Sequence, residues 1–505
     1  MTRALRMAGI GGLALLLSAH VGSPDVFFSG KAGAYDVRVV VRPPDVVPGV
    51  ARVTVRTATD VDRVSIRPVF WRAGTRGAPS ADETRRLAGD TRTFGGSVWL
   101  MSHGAYTVEV TIEGADGTGS VQVPVASVAT GRLAMGPGLG ILLALLGLLL
   151  VAGLLTIVYK GAGESLVEVG APLDAARRAR ARRVTLLAIP VIALVLVGGA
   201  RWWRDVDLDY RRTIYRPSPL LLALSDGVLR VETSDTVFQP PHRPSALVPD
   251  HGKLMHLFMV RAGDAGAFAH LHPVPVDTSI IPAMTTRVPP LPAGEYHVYG
   301  DVVHETGFER TLVGTMTLDA PRGSPASADA WRATDPDDAW FAGAASTVRS
   351  SRLADGTTMH IELDPDSAIV PGRELAIRVS VLDAAGRRAA LQPYLGMSAH
   401  AVVVRVDGAI YVHLHPMGTI TNAAQEAFAA RDRGDTTALG RLIASDHAMH
   451  AGAAPAAAPD TLTAEFPYGF PSAGNFRLFV QVKRNGRILT GAFAIPVAEP
   501  TITSR

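Results

Sequence analysis

The stretch Leu254–Pro273, LMHLFMVRAGDAGAFAHLHP, decides how this chain is read, and it recurs at Ser398–Pro416 as SAHAVVVRVDGAIYVHLHP. Each copy sets one histidine in an apolar run, passes through Val-Arg and a Gly/Asp turn, and closes on His-Leu-His-Pro. Alternate side chains of a β-strand share a face, so His270 and His272 point one way, as do His413 and His415. If each copy folds as a hairpin, His256 lies beside the first pair and His400 beside the second. Three imidazoles converging at one end of a β-sandwich suit a soft-to-borderline metal. The expected ligands are thus one triad per copy: His256, His270 and His272, then His400, His413 and His415.

Outward from these segments the two copies continue to match. Pro292–Tyr299, PAGEYHVY, resembles Pro471–Phe479, PSAGNFRLF, and Leu312–Met316, LVGTM, resembles Leu489–Phe493, LTGAF. Histidine is not retained generally, since His297 and His304 stand opposite Arg477 and Arg484. The triads are what recurs. Two copies of one sandwich are therefore expected, over residues 210–320 and 339–498, joined by a linker at 321–338 rich in Ala, Pro, Ser and Asp. Copy two carries an insertion at 422–461 that opens as an Ala-rich helix and becomes low-complexity. His447, Met449 and His450 within it are accessory metal candidates, as are His251 from its loop and Met417 directly after the second HLHP. Met255 points opposite to His256 along the strand and reads as core.

The remainder sets the frame. At 505 residues the chain is too long for one core. Its net charge is only +3, and no Lys/Arg stripe interleaved with aromatics suggests nucleic-acid binding. There is no cysteine, so a metal must be held by His, Met, carboxylate or backbone. Residues 1–22 read as a signal peptide or N-terminal anchor. Residues 23–130 hold several short Val-rich strands between Pro, Gly and Asp turns, the pattern of an immunoglobulin-like sandwich, with Trp71 and Trp99 in its core. Two apolar segments follow, 133–159 and 184–203, each long enough to cross a bilayer. The Arg-rich loop 160–183 between them is expected in the cytoplasm by the positive-inside rule, and both large flanks outside it, on the periplasmic side of a cell membrane. Neither apolar run, Leu133–Tyr159 or Val184–Ala200, carries a charged residue, so the hairpin reads as a tether. The fold class is mainly β, with three immunoglobulin-like sandwiches and a two-helix transmembrane hairpin.

The LMHLF, HLHP and PAG-Y segments make the exported units resemble the immunoglobulin-fold copper-handling proteins of the CopC-like and YtkA-like groups, over about Pro249–Met316 and Tyr394–Phe493. That resemblance implies copper binding or delivery outside the cytoplasm, with a copper-requiring or copper-transporting membrane protein as partner. CopC-like sites use an N-terminal histidine of the sandwich, which neither unit here has. Zinc fits the same ligands. The alternatives are a structural or adhesive sandwich array with internal histidines, and a metal-dependent enzyme. No carboxylate follows either HLHP as in a cupin, and no Ser elbow, paired-carboxylate motif, phosphate loop or HExxH is present.

Overall fold

The computed structural model describes residues 25–165, 167–168, 171–233, 245–319, 331–364, 368–434 and 463–499. The predicted signal segment, most of the copy-two insertion and the candidates His447, Met449 and His450 lie outside them. The chain is mainly β, 45% strand and 19% helix. It divides into two compact units, Ala129–Tyr215 on one side and the residues before and after it on the other.

The smaller unit is helical. Helices Pro137–Glu164 and Ala175–Thr213 are both long and apolar enough to cross a membrane. The second begins at Asp174, whose carboxylate caps the Arg177 N–H at 2.6 Å. It runs well past the expected span at 184–203, because Asp207–Arg211 and Asp209–Arg212 pairs continue it as a polar helix to Thr213. At 39 residues it is about 58 Å long, roughly twice a bilayer's hydrocarbon thickness. Gly163 gives the two helices close approach, since a side chain there would meet Ala181.

In the larger unit the first β region pairs two sheets. Strands Val26–Ala32, Tyr35–Arg42, Gly49–Thr57 and Thr93–Leu100 lie in one, and Arg63–Phe70, Gly104–Gly114 and Gly117–Ser127 in the other. Inward valines of both sheets fill one core. Trp99 corrects the sequence reading. Its neighbours Val98 and Leu100 point inward, so strand alternation turns it outward, where it is 59% exposed. Trp71 packs edge-on to Phe428, at 5.0 Å between ring centroids.

The internal repeat is plain in the sheets. Strands Ala267–Leu271, His256–Arg261, Gly294–His304 and Glu309–Leu318 follow one another in the order that Tyr411–Leu414, His400–Arg405, Gly474–Arg484 and Arg487–Val497 reproduce. His256 pairs with Asp301 in the first set and His400 with Gln481 in the second. Strands His256–Arg261 and His400–Arg405 are buried along both faces, which explains their unbroken apolar sequences. Leu257 and Met259 enter one core, and Ala401 and Val403 another. On the opposite faces Phe258, Val260, Phe268, Tyr299, Val402, Val404, Tyr411 and Phe479 form a single cluster. Phe268 stacks on Phe479 at 4.4 Å and Tyr299 on Tyr411 at 4.2 Å. The two repeats therefore pack sheet against sheet through their second faces.

The loop after the second HLHP joins the first β region, where Met417 C=O accepts from Ser29 N–H at 2.8 Å. Any Cβ at Gly418 would lie 1.9 Å from the Phe27 carbonyl oxygen, so only glycine fits this crossing. Helix Asn422–Asp432 follows, capped by Thr421 and burying Ala423, Ala424, Ala427 and Phe428.

Candidate metal centre

The histidines of both repeats lie on the faces that meet. His256 continues the row of Phe258 and Val260, and His270 and His272 continue that of Phe268. His400 extends Val402 and Val404, and His413 and His415 extend Tyr411. At the end of the inter-repeat cluster these side chains replace hydrocarbon. The structure thus joins the two expected triads into one buried group rather than leaving one at each sandwich end.

Two subsets are compact. His256, His270 and His272 each offer one nitrogen within 4.8 Å of the others, and so do His251, His400 and His415. Ring centroids in the first set are 4.5–5.3 Å apart, and in the second 5.1–5.5 Å. His413 is not in the second tight set. It stands between the two, 5.3 Å from His256, 5.5 Å from His400 and 4.4 Å from His415. Met417 packs instead against the core of the first β region, and Met255 is buried in the core of copy one.

The outer nitrogens of the first set are held by acceptors. His256 Nε2 lies 3.2 Å from the Asp250 carbonyl oxygen, His270 Nδ1 2.8 Å from Gln481 Oε1, and His272 Nδ1 3.1 Å from Asp338 Oδ1. Gln481 places its amide nitrogen 3.3 Å from Thr490 Oγ1 and its oxygen toward His270. With Gln481 Oε1 on the His270 side all three outer partners accept, which places the protons on the outer nitrogens and the bare lone pairs on the inner ones. His256 Nδ1 and His270 Nε2 then face each other at 3.1 Å. Two lone pairs at that distance repel unless a cation lies beside them. Nitrogens bonded to one tetrahedral zinc-like ion at about 2.0–2.1 Å would be roughly 3.3 Å apart. Holding the outer imidazole N–H on a carbonyl or carboxylate is how proteins fix metal-binding histidines.

The second repeat repeats the device in part. His415 Nδ1 is 2.9 Å from the Ile420 carbonyl and His413 Nδ1 is 3.5 Å from Asp301 Oδ2. The anchors cross over between repeats: Gln481 of copy two holds His270 of copy one, and Asp301 of copy one faces His413 of copy two. His272 Nε2, His413 Nε2, His415 Nε2 and both nitrogens of His400 are buried without a partner among the described residues, and His251 Nε2 lies 3.5 Å from Asp250 Oδ2. Each such orphan costs about 1–3 kcal/mol if nothing binds it.

Sequence reasoning missed the anchors. Asp335 and Asp338, in the segment read as linker, are buried, and they form a third compact set with His272. Lys253 bonds Asp335 at 2.6 Å. Tyr394 OH donates to the Asp337 carbonyl at 3.0 Å and lies 3.2 Å from His270 Nδ1. The legible signal was the acid run Asp335–Asp338 itself, which a free linker does not need.

Burial holds five of the imidazoles neutral. His256, His270, His400 and His413 are pushed well below the ordinary range by desolvation, reinforced by neighbouring imidazoles, and His415 to about 4. Burial also raises Asp301 to about 6 and Glu309 to about 7. The unfolded chain takes up protons at these five histidines below pH about 6.5, whereas the fold refuses them, so stability falls with pH there. Asp301 and Glu309 work the other way, holding protons that the unfolded chain releases. The histidines outnumber them, and each contributes up to about 1.4 kcal/mol per pH unit. The metal-free chain should therefore lose stability steeply from pH 6.5 toward 4, read as the urea midpoint against pH. A flat profile would contradict the buried neutral centre.

Comparison with known proteins adds little. A family model described as a domain of unknown function (DUF8832) matches residues 352–499, which is most of copy two. No curated protein matches the sequence. Among solved structures, an engineered protein is 26% identical over 18% of this chain and 20% of its own, with a TM-score of 0.15. A tetra-tandem repeat from the extending region of a large adhesion protein is 11% identical, covering 89% of this chain and 71% of that one, at 0.14. Dimeric latent PorU from Porphyromonas gingivalis is 8% identical, with 90% and 32% covered, also at 0.14. Scores this low carry no argument about function.

Proposed function

We propose that this chain is a membrane-tethered, extracytoplasmic metal-binding protein that holds copper for homeostasis or for delivery to a copper-requiring or copper-transporting membrane partner. The observation that carries the proposal is the pair His256 Nδ1 and His270 Nε2, 3.1 Å apart with both outer nitrogens held by acceptors. With Gln481 Oε1 as the acceptor from His270 Nδ1, this network presents lone pair to lone pair, where a purely structural one would alternate donors and acceptors.

The donor set is imidazole with carboxylates behind it, while the thioethers of Met255 and Met417 pack against hydrophobic cores. Imidazole suits Cu(II) and Zn(II), and the Irving–Williams order places Cu(II) first. The tether consists of the two apolar helices. Arg177, Arg178, Arg180, Arg182 and Arg183 crowd one end of the second, and by the positive-inside rule we read the connecting loop as cytoplasmic and the β regions as lying on the other side. We read the β regions as three immunoglobulin-like sandwiches, the two histidine-bearing ones packed face to face so that one centre serves both.

The test is elemental analysis of the full chain purified in detergent after loading with copper and with zinc, beside His270→Ala/His272→Ala. The parent should retain stoichiometric metal through dialysis and the double variant should lose the ion of the first set. A folded parent that retains none would refute the proposal.

A further inference from the structure

We infer that the centre takes two neighbouring metal ions, one from each compact histidine set, and that the two sites differ in how firmly they hold. This rests on the metal-binding reading and adds stoichiometry and inequivalence to it.

The repeat makes two sites from one design. His256, His270 and His272 correspond in sequence order and strand position to His400, His413 and His415, and the packed faces bring both sets into contact. His251 lies 6.3 Å from His256 between ring centroids, and His270 lies 6.3 Å from His400. Two-metal centres hold their ions about 3.5–4 Å apart, so adjacent triangles of rings on this scale are a fitting frame. One ion cannot collect all seven rings. A tetrahedral ion at the first set satisfies His256, His270 and His272 and leaves both nitrogens of His400 and the Nε2 atoms of His413 and His415 buried and unpartnered among the described residues.

The second set closes with a residue outside the repeat pattern. Asp250–Lys253 and Tyr394–Met397 are the same turn, each a two-residue loop between bridged ends. His251 has a φ of 53° and its counterpart Leu395 one of 51°, each followed by glycine at 80° and 77°. Copy one alone therefore puts histidine at this left-handed position, and the ring it presents goes to the other repeat's His400 and His415. His413, nearer His415 but excluded from that tight set, has its Nε2 free between the two sites and is placed to serve either ion.

Inequivalence follows from the anchors. Every ring of the first set has its outer nitrogen held. In the second, His415 is anchored on Ile420 and His251 Nε2 lies 3.5 Å from Asp250 Oδ2, while neither nitrogen of His400 has a partner among the described residues. Outer-nitrogen partners contribute about 10–100-fold to metal affinity, so the second ion should leave first.

The experiment titrates the metal-free full chain in detergent with Cu(II), measures copper per chain after dialysis, and records the electron paramagnetic resonance spectrum at saturation. The parent should take two ions and show the half-field signal of two nearby Cu(II) centres, with the second ion lost about 10-fold or more readily to chelator. His251→Leu, a residue the equivalent turn already accepts, should bind one ion firmly and lose the half-field signal. His251→Asn, suited to a left-handed backbone, provides the same test if the leucine variant does not fold. A parent saturating at one ion overturns the two-ion inference and leaves metal binding standing. Two ions in both variants would overturn the assignment of His251. A folded parent binding none would refute the metal-binding reading itself.

Discussion

A chain carrying His400→Leu is expected to be more stable than the parent when both are metal-free, by about 1–3 kcal/mol in chemical denaturation. His400 is fully buried, 1% exposed, with neither ring nitrogen partnered among the described residues. Leucine is of similar size and needs no partner, so removing two orphaned polar atoms should outweigh the imperfect fit of the new side chain. Saturating metal should reverse the order. A ligand at 1,000 times its dissociation constant stabilises the parent by about 4 kcal/mol, and the variant has lost one ligand of the second set. This change of sign separates a metal centre from a structural network. If His400 supported the core through hydrogen bonds to buried water, the variant would be weaker under both conditions.

Asp338→Ala is expected to destabilise the chain by about 3–5 kcal/mol and to weaken metal binding by 10–100-fold. Its carboxylate, buried with Asp335, accepts from His272 N–H at 2.7 Å, from Asp335 N–H at 3.0 Å and from His272 Nδ1 at 3.1 Å. Alanine would strand all three donors inside the protein. Asp338→Asn should recover most of the stability, since the amide oxygen still accepts, yet recover less of the affinity because the charge that makes His272 a stronger donor is gone. Equal recovery of both would mean that Asp338 acts on folding alone. Denaturation and metal competition on the same preparations decide this.

How far the sequence carried the argument can be seen at particular residues. The hairpins were legible because His256, His270 and His272 keep a period of two across a Gly/Asp turn, and the repeat showed the pattern twice. That the two triads meet was also written there, in a feature given too little weight. His256–Val260 and His400–Val404 have no polar residue alternating with their apolar ones, and such a strand is covered on both faces. Phe258 and Val402 occupy the face that an isolated sandwich would leave to water. The partner of that face could not be read, because pairing Phe268 with Phe479 depends on how two domains dock, not on local periodicity. Asp301 and Gln481 escaped notice for the same reason: each serves a histidine in the other repeat. Trp99 was misread because its size suggested core, while the phase of Val98 and Leu100 around it already pointed outward.

The central claim is that imidazole lone pairs in the interface between the two repeats bind metal. X-ray absorption on the full chain loaded with Zn(II) as a probe tests it most directly. The account predicts a first shell containing three histidine nitrogens at about 2.0–2.1 Å, with the multiple scattering of imidazole rings behind it. A shell of oxygens without that ring signature would contradict it.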